Sequence, residues 1–485
     1  MADASSLLLR SATPNMAADA GSCAVSFKIG KRSIGNQLMM PFVRPPGPRN
    51  RGIIGNFPLG SRDPLGLYTQ WARQYGDIFY YRAFNRHIYF LNHPDLIQHV
   101  LVNDYRSFIK GEALQFNRRI FGNGLLTNEG DSWLRQRHLI QPAFHRDRIA
   151  SYGNTMRAYT ERMIAAWQDG EVRDIHQDMM RLALEIVAKV LFNVEVTAER
   201  DRVAEALNTV MELGSGGRML LPPILRLLPT RDNLRYRRAA RQLDDIVYGL
   251  IRQRRASGQI ADDLLSELLQ AQDEGGGMTD QQLRDEVMTL LLAGHETTAV
   301  SLSWIWYLLA QYPEVEKKLW SELHLVLNGR SPGMQDLPKL PYAERVVKEA
   351  MRLYPPAWAV VRNALRDCEI GGYRVPAGAT VVVSQWVMHR DPRYYEQPER
   401  FNPDRWLDEQ AKPAPKFAYF PFGGGPRTCI GASFAAMEAA LVLAAIAQKF
   451  QIRVAQDRAV EPLPTITLRP RHGIQVVLTR RAVEN

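Results

Sequence analysis

A chain of 485 residues with 46% hydrophobic and 23% charged side chains can build a large core, which excludes overall disorder. Lys and Arg number 61 against 51 Asp and Glu, a net charge of +10 compatible with nucleic acid, an anionic surface or an acidic partner. Three cysteines, Cys23, Cys368 and Cys429, without CxxC spacing exclude a disulfide scaffold and point to a reducing compartment.

Residues 1–43 hold only Asp3 and Asp19 as acids among scattered Ser, Lys and Arg. That composition suits either a disordered extension or an organellar targeting segment. The stiff run Arg44-Pro45-Pro46-Gly47-Pro48-Arg49 follows, so a second region, the folded body, is expected over 44–485. Runs 78–82 and 87–91 are β-rich and read as a hairpin. From 94 to about 272 the pattern is mostly helical, with breaks at Gly122–Gly124, Gly214–Gly217 and Pro222-Pro223. Asp273 to Gly277 reads as a linker. Thr279 and Gln282 stand at capping-box spacing, and nothing but Gly294 interrupts the pattern before Pro313, so a central helix of more than thirty residues is expected. Further elements are a helix over 342–354, strands over 373–375 and 380–383, a helix over 432–450 and a strand over 474–479. The fold class is mainly α with small β-sheets, in one large domain. No run of 18 uninterrupted apolar residues occurs, and the uncharged stretch 297–313 reads as a buried core helix, so no membrane-spanning helix is expected.

The most informative segment is Phe422-Gly423-Gly424-Gly425-Pro426-Arg427-Thr428-Cys429-Ile430-Gly431. Its glycines permit a tight turn that aims N–H groups at one sulfur, and the helix that follows adds positive potential favouring a thiolate. A single thiolate prepared in this way is a nucleophile or a lone axial metal ligand, and no partner base is evident in the sequence. The pattern F-x-x-G-x-R-x-C-x-G is matched by Phe422, Gly425, Arg427, Cys429 and Gly431. It resembles the haem-binding loop of the cytochrome P-450 superfamily.

The central helix carries Ala293-Gly294-His295-Glu296-Thr297-Thr298, which resembles the oxygen-activation signature of the same family. Physically, Gly294 permits close approach of a flat ligand, and Thr297 can bond back to an upstream carbonyl and distort the helix. A zinc-protease reading fails because Ala299 stands where a second His is required. By resemblance Cys429 ligates the iron of haem b, Glu296 and Thr297 deliver protons, and Ala293 lies against the macrocycle. Trp133 and Arg137, four apart on one helix face, together with Arg362 and Arg427, are expected to hold the propionates. Glu349 and Arg352, three apart, are expected to form a structural triad with Arg400.

The resemblance places the substrate pocket in mostly apolar segments. These are 114–125 with Phe116, 220–228, Leu292 beside Ala293 and Thr297, 357–361 with Trp358 and Val360, and 465–468 with Ile466. A small hydrophobic substrate (fatty acid, terpenoid or steroid) and O2 are implied. With 56 residues after Cys429 (485 minus 429), no fused reductase module is expected. A separate ferredoxin with its reductase, or a flavodoxin-type donor, would then dock on a basic face formed by Arg135, Arg146, Arg148, Lys412 and Lys416. The expected function is that of a monomeric cytoplasmic haem-thiolate monooxygenase, with organellar targeting by residues 1–43 left open. A peroxide-driven or isomerising haem-thiolate enzyme and a non-catalytic haem protein are the alternatives, both disfavoured by Glu296-Thr297. A nucleic-acid role is disfavoured because no reading motif is present.

Overall fold

The capping box forms as its spacing requires. The Thr279 hydroxyl accepts from the Gln282 N–H at 3.2 Å, and the Gln282 side chain accepts from the Thr279 N–H at 2.9 Å. From that cap the central helix Asp280–Gln311 runs for 32 residues, roughly 48 Å at 1.5 Å per residue. It is buried on nearly every side, with Leu283, Val287, Val300, Trp304 and Ile305 fully enclosed, and packs along the helix Ile175–Phe192. A helix apolar all round has to lie inside a large body.

The structure is a computed structural model that describes residues 43–49, 56, 63–112, 114, 118–194, 200–213, 228–258, 263–273, 276–407, 413–455 and 459–481. The described residues from Val43 onward pack as one compact unit. Five strands form the main sheet: β1 (Ile78–Ala83), β2 (Arg86–Leu91), β3 (Phe108–Lys110), β4 (Val360–Ala364) and β5 (Thr380–Val383), in the spatial order β1-β2-β5-β4-β3. The expected hairpin is β1 with β2, paired antiparallel from Ile78–Leu91 to Ala83–Arg86. β5 runs parallel to β2, and β4 and β3 continue antiparallel. A second sheet joins Phe450–Val454, Gln475–Arg480 and Val172–Asp174. The last of these lies inside the stretch read as helical, as does β3. Three residues are too few to show a period of two.

The expected strands at 373–375 and 380–383 and the helix near 342–354 (Pro341–Leu353) are present. A helix at Pro64–Tyr75 had no expectation attached, although Pro64 opens it and the Asp63 carboxylate accepts from the Gly66 N–H at 2.8 Å. The linker reading at 273–277 becomes a two-residue ladder, Gln272–Asp273 with Gly276–Gly277. Among the described residues one helix is long and apolar enough by composition to cross a membrane, and it is Ala432–Lys449 rather than the stretch 297–313. Its apolar side chains are spent in the core: Leu441, Val442, Leu443, Ala444 and Ile446 are buried. The breaks at Gly214–Gly217 and Pro222-Pro223 lie outside the described residues.

Candidate active site

The cysteine loop is built from hydrogen bonds that leave the sulfur presented. The Cys429 N–H donates to the Phe422 carbonyl at 3.0 Å and the Thr428 N–H to that of Gly425 at 3.0 Å. Gly425 has φ +68, and a Cβ there would sit 1.9 Å from the Leu101 carbonyl oxygen, so no other residue fits. Gly431 caps the helix that follows, and a Cβ on it would touch only the Phe144 ring at 3.7 Å. The Cys429 side chain is exposed, yet protein atoms crowd around it. Burial pushes its thiol up, outweighing the Gly431 N–H and Arg137, which favour the thiolate. The start of the helix acts in the expected direction, since the Gly431 N–H favours the thiolate, and burial opposes it.

Around this loop the chain gathers cations faster than anions. Arg427 stacks on the buried Trp133 ring with its guanidinium carbon 3.7 Å from the centroid, donates to the Asn128 carbonyl at 2.9 Å and pairs with Glu129. Trp133 therefore packs under Arg427. Arg137 donates to the Thr428 carbonyl at 3.0 Å and, among the described residues, pairs with no carboxylate. Arg362 on β4 donates to the Val361 carbonyl at 3.1 Å, and burial together with Arg427 lowers its pKa to about 10. Its neighbour across the β3–β4 ladder is Lys110, which sequence reasoning missed. The Lys110 ammonium is buried, donates to the Leu125 carbonyl at 2.9 Å and to that of Leu126, and is lowered to about 7 by desolvation first and Arg427 second. A lysine between Ile109 and Gly111 carries no local signal. Among the described residues one carboxylate, Glu129, pairs with this group, and the half-buried guanidinium groups left over suit the two carboxylates of a propionate-bearing macrocycle.

The central helix supplies the third wall. Leu292 and its neighbours are buried, while Ala293, Gly294 and Thr297 retain partial accessibility on one stripe of that helix. The Thr297 hydroxyl donates to the Ala293 carbonyl at 2.6 Å, the back-bond anticipated from its type, and the helix continues through it unbroken. A Cβ on Gly294 would come within 3.1 Å of Val187, so that glycine admits the neighbouring helix closely. Glu296 is buried on a different face, where it pairs with Arg469 and accepts from the Thr467 hydroxyl. The His295 Nε2–H donates to the Met180 carbonyl at 3.0 Å, and burial holds its pKa near 4, so it is neutral. Leu292, expected in the pocket, points into the core, about 100° round the helix from Ala293. Trp358, Val360 and Ile466 are half-buried. The Trp358 indole donates to the Thr465 carbonyl at 2.9 Å. Phe116 and most of 220–228 lie outside the described residues.

The charged network behind the cysteine loop has a different third member from the one expected. Glu349 and Arg352 pair through two bonds of 2.9 Å, both side chains fully buried. The second arginine is Arg405, whose Nε donates to Glu349 at 2.8 Å, and Trp406 adds a bond at 3.0 Å. Arg400 contributes only its carbonyl, 3.1 Å from Arg352, while its exposed side chain reaches Gln397. The chain turns at Asn402–Pro403, and that turn aims Arg405 inward. Of the expected basic face, Arg148 is paired with Glu267 and Arg135 donates to the Gly276 carbonyl. Lys416 is exposed, and Lys412 and the Arg146 side chain lie outside the described residues.

A single cysteine on a glycine-rich loop, a cluster of half-buried arginines and a small-residue stripe on the central helix have the donor set a haem-thiolate site needs. The cytochrome P450 family model matches residues 45–478. Cyclooctatin synthase of Streptomyces melanosporofaciens is 39% identical over 422 residues, covering 86% of this chain and 91% of that protein. Pentalenene oxygenase of Streptomyces avermitilis is 38% identical over 443 residues, covering 91% and 98%. Cyclooctat-9-en-7-ol 5-monooxygenase of Streptomyces melanosporofaciens is 39% identical over 432 residues, covering 88% and 92%. The chain belongs to the cytochrome P450 family. It is a haem-binding monooxygenase that acts on a hydrophobic substrate and draws electrons from a redox partner. Haem, when bound, supplies the activation of dioxygen, and thiolate ligation favours O–O cleavage.

Proposed function

We propose that the chain inserts one oxygen atom into a cyclic terpenoid hydrocarbon, by hydroxylation or epoxidation. The observation that carries this reading is the near full-length similarity to relatives whose names specify pentalenene and cyclooctat-9-en-7-ol, both terpenoids. The half-buried walls Trp358, Val360 and Ile466 suit such a ligand, because an apolar site binds by burial and orients by shape. Cys429 ligates the iron, and Arg137, Arg362 and Arg427 hold the propionates. The Thr297 hydroxyl donates its hydrogen bond to the Ala293 carbonyl and so presents lone pairs to the site, where they accept a hydrogen bond from water. Glu296 is the group that carries protons inward from solvent. Electrons come from a separate acidic ferredoxin or flavodoxin-type protein in the cytoplasm, meeting the face that includes Lys416. The catalytic body starts near residue 44, and residues 1–43 are an extension to it. Substrate class is tested by following the haem spin-state shift across cyclic terpenes, fatty acids and steroids. Saturable shifts with cyclic terpenes are expected; shifts with long-chain fatty acids and none with terpenes overturn the assignment.

A further inference from the structure

Three parts of the chain converge on a cleft of about 920 Å³, none of whose lining residues belongs to the site described above. One wall is a polar face of the helix Pro64–Tyr75, carrying Gln70, Arg73 and Gln74. A second is the segment with Trp386 and Arg390. The third is the base of the hairpin formed by Pro462–Pro464 and Leu468–Pro470, where Glu461 and Arg471 stand at its two ends.

Arg390 is the unusual member, because only 4% of its side chain is accessible although it lines the cleft. Its guanidinium carbon lies 3.4 Å from the centre of the Trp386 ring and 5.7 Å from that of Tyr354, so the group is held in place by packing. Nε donates to Glu399 at 3.1 Å and Nη1 to the Trp386 carbonyl at 3.4 Å, and among the described residues Nη2 has no acceptor. Glu399 is a weak counter-ion, since 63% of its side chain is accessible to water. Burial lowers the pKa of Arg390 to about 10, and the buried Arg352 guanidinium acts in the same direction.

The carboxylates around the cleft are already engaged. Asp63 accepts from the Gly66 N–H at 2.8 Å, Glu461 pairs with Arg471 at 3.0 Å, and Glu399 holds the Arg390 Nε. The groups left over are all donors: Arg390 Nη2, the Arg73 guanidinium and the amides of Gln70 and Gln74. A surplus of donors around a guanidinium fixed in advance suits an oxyanion, and disfavours a metal cation or a hydrocarbon. The volume is larger than one tetrahedral oxyanion needs and accommodates a linked pair.

We propose that this cleft is a binding site for a phosphate-class oxyanion of diphosphate size, with Arg390 and Arg73 as its cations. A ligand held there braces the helix Pro64–Tyr75 against the base of the hairpin.

The haem-loaded protein is titrated with sodium diphosphate, inorganic phosphate and citrate at constant ionic strength, by calorimetry and by thermal unfolding. Diphosphate should bind saturably and raise the unfolding midpoint, with phosphate weaker by about tenfold or more, since one charge-assisted bond is worth that factor. Arg73→Gln removes the exposed cation, and Gln70→Glu sets a carboxylate on the same face. Each should weaken diphosphate by about tenfold without moving the midpoint of the ligand-free protein. Arg390→Lys keeps the charge and loses the fork, so it should also weaken binding; the two surface variants carry the test if it fails to fold. Arg235→Gln, on the helix Arg231–Ser257, should bind as wild type. Absence of saturable diphosphate binding, or undiminished binding in both Arg73→Gln and Gln70→Glu, overturns the site. Equal loss in Arg235→Gln overturns it as well, by showing diffuse attraction to a basic protein. Tighter binding of citrate than of diphosphate overturns the phosphate class.

Discussion

Residue types announced the chemistry where the chemistry depends on neighbours in the chain. Cys429 with its glycines, and Glu296-Thr297 on a helix, are local patterns, and the back-bond from Thr297 to Ala293 follows from helix geometry alone. Lys110 and Arg469 were not legible, because each acquires its place from a segment remote in sequence; Glu296 and Arg469 are 173 residues apart. The crowding around Cys429 was not legible for a related reason. The helix terminus is visible in sequence, whereas the desolvation that outweighs it is created by packing. At this scale Thr297→Ala is expected to lower the fraction of reductant converted to product by several-fold while substrate binding holds within about twofold, since only a proton-side hydroxyl is removed. Product and peroxide are measured against reductant consumed, and unchanged coupling would contradict the role given to that hydroxyl.

Among the elements, the main lesson comes from two arginines five residues apart. Arg400 and Arg405 flank the same Asn402–Pro403 turn, and spacing alone does not say which one turns inward. The structure gives the buried carboxylate of Glu349 to Arg405. Removing one member of a buried ion network costs about 3–5 kcal/mol, whereas exposed substitutions stay within about 0.5 kcal/mol. Arg405→Ala should therefore lower the unfolding midpoint by many degrees and reduce haem retention, while Arg400→Ala should leave both almost unchanged. Denaturant titration of the pair decides it, and equal effects would restore Arg400 to the network. A second element-level expectation concerns the cysteine loop. Gly425→Ala collides with the Leu101 carbonyl and has a forbidding φ, so the protein should fold around a displaced loop and bind haem poorly. Haem titration of the variant checks this directly.

At the largest scale, the long central helix explains why the described residues from Val43 onward make one large body where several ordinary domains would fit. Small sheets were the least legible part, since strands of three residues are defined by partners far along the chain, as β3 is by β4. The interior also holds acids and imidazoles with opposed pH behaviour. His176 and His295 are lowered to about 4 by burial, so unfolding takes up their protons and stability is lost as pH falls from about 6.5 toward 4. Glu438 is raised to about 8 by burial alone, so its stabilising protonated form is lost as pH rises through 8, and the unfolded chain has already released that proton above 4.5. These slopes oppose one another between pH 4.5 and 6.5, so a variant comparison is needed to see either. Glu438→Gln should flatten the fall in stability between pH 6 and 8 relative to wild type, at roughly 1.4 kcal/mol per pH unit for one proton. Parallel curves for the two proteins would show that Glu438 is ionised in the fold.

The claim on which everything above depends is that Cys429 is the iron's thiolate ligand, and the carbonyl spectrum of the reduced, haem-loaded protein tests it most directly. Wild type should show the strongly red-shifted Soret band of a thiolate-ligated carbonyl haem, and Cys429→Ser should bind haem yet lose that band. Persistence of the red-shifted band in Cys429→Ser would contradict the account.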